Sequence, residues 1–204
     1  MTRFVDRGAV VAGFVGVGMA VTVTISFLLV IPIEPIVILL AFPSGLVIGY
    51  YANQRSDRRH GPWSRILRNG LFAGLVTGVA AGLLLLGVKS IFFFADSGYP
   101  DFNRIDPKTG VVIPPTCATG ADCVYARYAA RDTAGDMAAD RVTDGSSFAP
   151  VYWSWQLTSA GSILALTLAG GLGGALLYGA SRPKAGAPAG GHREAQAAAG
   201  GSPG

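Results

Sequence analysis

The two cysteines, Cys117 and Cys123, are the residues best placed for covalent chemistry in this chain. They enclose five residues, whereas a redox-active C-x-x-C motif encloses two. A metal site would need further Cys or His ligands close by, and the neighbouring sequence offers none. We therefore predict a structural disulfide that ties down a loop, with free thiols as the alternative.

Carboxylates provide a second candidate chemistry. Asp132, Asp136 and Asp140 recur every four residues, so they share one face of a helix expected in this part of the chain. Paired carboxylates can bind calcium or relay protons. We favour a solvated acidic face with Arg131 and Arg141 nearby, and we expect no metal there.

Glu34 and Lys89 are the ionisable residues that lie at or within long apolar segments. Charges inside a membrane are costly and often functional. Both residues fall near the same membrane surface, so one prediction is an ion pair between them. The alternative is that Lys89 extends to water while Glu34 stays exposed at a helix N-terminus, where the helix dipole favours it.

The elements that must position these residues are apolar helices. Half of the residues are hydrophobic and only 14% are charged, with a mean hydropathy of +0.44. Long apolar stretches with few charges are typical of membrane spans. We predict an all-α membrane protein with four transmembrane helices, at residues 8–31, 36–51, 70–94 and 151–180. A small extracytoplasmic loop domain at residues 95–150 connects the last two.

The charged residues predict the orientation. If all four segments cross, one side of the membrane receives these cations: Arg3, Arg7, Arg55, Arg58, Arg59, Arg65, Arg68, Arg182, Lys184 and Arg193. The positive-inside rule makes that side cytoplasmic. Both termini are then cytoplasmic in a multi-pass protein of the cell membrane, and residues 181–204 form a disordered tail. The segment 95–150 holds eight aspartates against five cations and lies outside.

The basic residues also bear on partners. They flank apolar segments instead of forming one soluble face, so we expect no nucleic acid partner despite the formal charge of +4. The lipid bilayer is the expected partner, and the segment with Trp63, Arg65 and Arg68 is expected to attract anionic lipid at the cytoplasmic face.

The second apolar segment contains Pro43, Ser44 and Gly45 near its middle. Proline removes a backbone hydrogen bond inside a helix. The segment is therefore predicted to be either a kinked crossing or a re-entrant segment. A break of this kind marks solute sites in transporters, so these three residues are a candidate solute site.

Small residues recur every four positions in two helices. The third segment carries Gly70, Gly74, Gly78 and Gly82, and the fourth carries Gly161, Ala165, Ala169 and Gly173. Small residues let membrane helices approach closely. These stripes predict tight packing within the chain, against a membrane protein partner, or in a homo-oligomer.

Three functions compete on this basis. The first is a structural or accessory subunit that packs on a partner through glycine-rich helix faces. The alternative is a small oligomeric transporter or channel that uses the broken second helix. A membrane enzyme ranks last, because the sequence offers no nucleophile–base pair and no metal cluster; we expect no catalytic residue and no cofactor.

Overall fold

The computed structural model describes residues 5–30, 34–56, 61–95, 104–106, 108–113, 117, 119–129, 137 and 140–181. Helix α1 (Arg7–Thr24) continues as a π-helix (Ile25–Val30). Helices α2 (Glu34–Gln54) and α3 (Trp63–Phe94) follow. Two short strands, β1 (Arg104–Ile105) and β2 (Val112–Ile113), precede α4 (Ala121–Ala129) and α5 (Gly145–Ser181).

Four of these helices are long and apolar enough to cross a membrane, which confirms the predicted number. They are α1 with the first turn of the π-helix, α2, α3 and α5. This indicates a multi-pass membrane protein. All four begin earlier than predicted, α1 and α2 by one or two residues and α3 (Trp63) and α5 (Gly145) by seven and six. Hydropathy marks only the apolar part of a helix, and here the first turns contain polar residues.

Helix α2 is continuous through Pro43. Residue 43 lies on an exposed side of the helix. The four residues on either side stay helical, so α2 has the form of a single crossing segment, without the two half-helices of a broken one.

The long helices form a bundle with α1 and α5 at opposite corners. Helix α5 packs most extensively on α2 and α3, and α1 packs on the same two helices from the other side. An apolar cluster fills the middle of the bundle, with members from all four helices: Ala20, Leu28, Val37, Ala41, Ala81, Leu85 and Ile163.

Within the segment 95–150, helix α4 and the residues around it rest on one end of the bundle. Strands β1 and β2 pair antiparallel. Helix α4 packs on the first turns of α5 through a second apolar cluster: Phe93, Val124, Met137, Val142, Phe148 and Tyr152. Because Phe93 belongs to α3 and Tyr152 to α5, this cluster continues the bundle.

Candidate functional site

The predicted disulfide is present between Cys117 and Cys123, whose Cα atoms lie 5.4 Å apart. Cys123 is buried within α4. Between them, Gly120 has a φ of +95°, a conformation that favours glycine. Its N–H donates to the carbonyl of Phe93 over 3.0 Å. The disulfide loop is therefore fastened to the end of α3.

The two candidate membrane charges have different outcomes. Lys89 lies on the buried face of α3 and is 1% exposed, so its side chain does not extend into solvent. Glu34 begins α2, but its side chain is outside the described part of the structure. The Glu34–Lys89 ion pair stays a prediction. Of the acidic row, Asp140 lies exposed in a turn, and Asp132 and Asp136 are outside the described residues.

The glycines of α3 lie against α5. A Cβ added at Gly70 would approach the carbonyl oxygen of Gly171 to 2.5 Å, and one at Gly74 would approach that of Thr167 to 2.8 Å. A Cβ at Gly78 would overlap the Thr167 hydroxyl. A Cβ at Gly82 would lie at an ordinary contact distance of 3.6 Å from Ala160. At Gly70 and Gly74 the backbones of α3 and α5 meet so closely that a side chain would not fit, and at Gly78 the Thr167 side chain occupies the space.

The predicted row of small residues on α5 does not face α3. Nothing lies within 4 Å of a Cβ added at Gly161 or Gly173, and Ala165 and Ala169 are exposed. The row that meets α3 instead includes Ala160, Leu164, Thr167 and Gly171. Helix α5 carries several rows of small residues, so its four-residue spacing alone did not fix which row turns inward. We call the row Gly161, Ala165, Ala169 and Gly173 the outer face of α5.

A second small-residue contact, between α2 and α5, was not predicted from the sequence. A Cβ at Gly49 would overlap the backbone of Gly171, and one at Gly174 would overlap that of Leu46. Gly45 lies against the backbone of Thr167 in the same way. The spacing of Gly45 and Gly49 is the same four residues that identified the α3 stripe, so this signal was available.

The candidate solute residues therefore separate. Pro43 lies on the exposed side of α2, Gly45 is buried against α5, and Ser44 lines a cavity between the helices. All four long helices contribute to that cavity, and its polar lining residues are Thr24, Ser44, Thr77 and Thr167. Its space admits about one water molecule.

The structure also contains a polar network, at the N-terminal end of α1, that the sequence did not predict. Asn69 Nδ2 donates to Asp6 Oδ2 (3.2 Å) and to Asn53 Oδ1 (3.3 Å), and Asn53 Nδ2 donates to the carbonyl oxygens of Gly49 and Ile66 (both 3.1 Å). Both asparagines are buried. The network joins α1, α2 and α3 where the sequence places the cytoplasmic surface.

Among the described residues, no group of three or more His, Cys, Asp or Glu side chains could hold a metal ion. In the described part of the chain, the geometry brings together helix surfaces, a cavity and a polar network, and function is inferred from these features. The sequence matches no protein-family model, no curated protein and no solved structure.

Proposed function

We propose that this protein is a non-enzymatic accessory subunit of the cell membrane that packs on a membrane protein partner through the outer face of α5. The observation that carries the proposal is the position of this row on the surface of the bundle. Gly161 and Gly173 have nothing within 4 Å of an added Cβ. Four small residues in line offer another helix a close approach, as the inward rows offer the helices of this chain.

The other surfaces of the bundle support this assignment by contrast. Lipid-facing positions elsewhere carry large apolar side chains, such as Phe14 of α1 (75% exposed), Leu39 of α2 (73%) and Leu83 of α3 (64%). The large hydrophobics exposed on α5 are Leu157, Leu176 and Leu177, beyond the two ends of the row. Small residues gain little from lipid contact, whereas between helices they permit backbone approach and interhelical van der Waals packing.

The rest of the proposal concerns orientation. We place both termini in the cytoplasm and the segment 95–150, a small domain tied by the disulfide, outside the cell. The cation distribution supports this orientation, as does the disulfide, since disulfides persist in oxidising compartments. Arg65 and Arg68 lie in the first turns of α3, where they would meet anionic lipid at the cytoplasmic surface.

The test is purification of the tagged protein from its native membrane in mild detergent, followed by native mass measurement. We expect a fixed-ratio complex with a second membrane protein. In Ala165→Leu/Ala169→Leu the leucines would hold the partner helix away. The complex should therefore be lost, while the Tm of the isolated subunit should stay unchanged. The control Leu75→Ala/Leu83→Ala removes bulk from an exposed face of α3 and should keep the complex.

Two results would contradict the proposal. A wild-type protein that is monomeric under these conditions has no partner on this face. A complex that survives Ala165→Leu/Ala169→Leu is held by another surface. A homo-oligomer that the double variant dissociates would keep the interface and change the partner to a second copy of the chain.

The orientation is tested separately with a membrane-impermeant thiol reagent on intact cells. Cys117 and Cys123 should become labelled from outside after treatment with an impermeant reductant. A cysteine placed at residue 186 in a variant with Cys117→Ser and Cys123→Ser should stay unlabelled until the membrane is permeabilised.

The transporter alternative has less support. Its candidate site required a broken second helix, and α2 is continuous across Pro43. The cavity beside Ser44 admits about one water molecule. A solute flux that depends on Ser44 would revive it.

A further inference from the structure

We propose that Trp153 and Trp155 lie in the headgroup zone of the bilayer, the layer of glycerol esters and polar headgroups that borders the hydrocarbon core. The partner of this surface is lipid, and the contact sets how deep the bundle sits in the membrane. The inference is independent of the outer face of α5, because neither tryptophan belongs to that row.

Ring contacts hold both indoles in place near the start of α5. The Trp153 ring stacks on that of Phe94 in α3, with 5.8 Å between the ring centroids and 16° between the planes. The Trp155 ring contacts that of Tyr128 in α4 at a centroid distance of 6.4 Å. Both tryptophans are half-buried, and Phe94 is 64% exposed. Two residues correspond to about 200° of helix rotation, so the indoles lie on opposite sides of α5.

The indole N–H groups indicate the surroundings of these rings. Within the part of the chain that the structure describes, neither Trp153 nor Trp155 donates a side-chain hydrogen bond. An indole has one donor and no acceptor, and a donor left unpaired in hydrocarbon is costly. In the headgroup zone, water and ester carbonyl groups can accept from both indoles while the rings remain against apolar chains.

The third tryptophan marks a second level along the bundle, and the separation matches a bilayer. Trp63 begins α3 and is 44% exposed, and its ring packs so closely on Gly179 of α5 that an added Cβ would overlap it. From residue 153 to residue 179 there are 26 residues, which span about 39 Å of helix. The hydrocarbon core is about 30 Å thick, and about 40–45 Å with the headgroup regions. The two levels therefore fit the two headgroup zones of one bilayer.

The residues between these levels favour lipid over a protein partner, although exposed tryptophans also occur in protein interfaces. Tyr50 and Tyr178 add a ring pair at the Trp63 level, 5.6 Å between centroids. Trp and Tyr are enriched at both surfaces of a membrane, where their rings lie at the headgroups. Between the two levels, the large hydrophobic side chains exposed on α3 are aliphatic: Leu71, Leu75, Val79 and Leu83.

The same level includes one end of α4. Tyr125 contacts Phe148 at a centroid distance of 6.0 Å, and Tyr128, one turn later, contacts Trp155. Helix α4 therefore runs beside the first turns of α5, and its C-terminal turn reaches the level of Trp155. We infer that this turn rests at the headgroups, so α4 lies against the membrane surface.

The test is tryptophan fluorescence of the full chain in phosphatidylcholine vesicles whose acyl chains carry bromine, a contact quencher, either near the glycerol or near the terminal methyl group. Since Trp63, Trp153 and Trp155 are the three tryptophans of the chain, the wild type should lose more fluorescence with the bromine near the glycerol. Trp63→Phe should keep this order. A larger loss with the bromine near the methyl group overturns the proposal. Equal losses or no quenching also overturn it, because the indoles would then lie at no defined depth, in water or under protein.

A tryptophan in the middle of the bundle provides the matched reference. Leu75 is 43% exposed and follows Gly74, which lies against Thr167. Residue 167 is 14 residues from 153 and 12 from 179, so this level is close to the centre of the bilayer. Leu75→Trp, with the three natural tryptophans changed to Phe, should lose more fluorescence with the bromine near the methyl group. If it shows the same order as the wild type, the two sites do not differ in depth and the proposal is overturned. The wild-type measurement needs no substitution and so does not depend on the folding of a variant.

Discussion

The carboxylate of Asp6 accepts a 2.6 Å hydrogen bond from the hydroxyl of Ser56. Asp6 precedes α1 and Ser56 follows α2, so this bond joins the two chain segments at one end of the bundle. Asn69 of α3 contacts the same carboxylate oxygen and accepts from the backbone N–H of Asp6 over 3.3 Å. One acidic side chain therefore connects three helices at the end that we place in the cytoplasm.

Asn69→Ala is expected to destabilise the protein by about 1–3 kcal/mol, because it removes the donor that serves both Asp6 and buried Asn53. The measurement is equilibrium unfolding in detergent. Gln54→Ala, at the exposed neighbour of Asn53, should change stability by no more than about 0.5 kcal/mol. Equal effects of the two variants would show that the network contributes little.

Gly74→Val should disrupt the packing of α3 on α5. Its Cβ would lie 2.8 Å from the carbonyl oxygen of Thr167, where neither backbone can give way without moving a helix. Overpacking of this kind costs about 1–3 kcal/mol or more. Gly87→Val is the control on the same helix, since nothing lies within 4 Å of a Cβ there. Thermal unfolding of both variants checks the difference, and an unstable Gly87→Val would indicate a general effect of valine in α3.

The sequence predicted the α3 row but not its partner row on α5, and the reason is geometric. Glycines at 70, 74, 78 and 82 form the one continuous glycine row of α3, so their inward direction could be inferred. Between residues 160 and 175, helix α5 has glycine or alanine at positions 160, 161, 165, 169, 170, 171, 173, 174 and 175, which cover several sides of the helix. The rotation of α5 then depends on contacts with α2 and α3, which no spacing within α5 encodes.

The polar features were harder to predict for a different reason. Asp6, Asn53 and Asn69 stand beside basic residues at the ends of apolar segments, where hydrated polar residues are expected. They meet only because three helix ends converge, and Asp6 and Asn69 are 63 residues apart. The disulfide was predictable because its partners are close in sequence and are the chain's two cysteines.

Reduction of the Cys117–Cys123 disulfide should loosen α4 locally. The closed loop is short, so its contribution is about 2 kcal/mol in the chain-entropy description. We expect faster amide exchange over residues 119–129 in reductant, with α3 and α5 protected as before. The variant with both cysteines changed to serine should reproduce this pattern and show no further effect of reductant. Global unfolding on reduction would contradict a local role.

The start of α5 should respond to acid through Asp144. Its Oδ1 accepts hydrogen bonds from the backbone N–H of Ser147 (2.8 Å) and from the hydroxyls of Ser146 and Ser147 (2.8 and 2.9 Å). The Ser147 N–H has the largest effect, and together these donors hold the pKa of Asp144 below its ordinary value of 3.8. A lowered pKa means that the folded state favours the ionised carboxylate. The resulting stability is complete well above pH 3.8 and is lost as the pH falls through the lowered pKa.

Ser147→Ala is therefore expected to raise the pKa of Asp144 toward 3.8, because the hydroxyl donor is lost while the backbone donor stays. The measurement is an NMR titration of the side-chain carboxyl carbons. Asp106 is the internal control: its pKa is lowered by the backbone N–H of Lys108 and the Thr109 hydroxyl, in a turn that Ser147 does not reach. A shift of both carboxyls would indicate general unfolding of the segment, and an unchanged Asp144 pKa would show that the Ser147 hydroxyl does not donate to this carboxylate in solution.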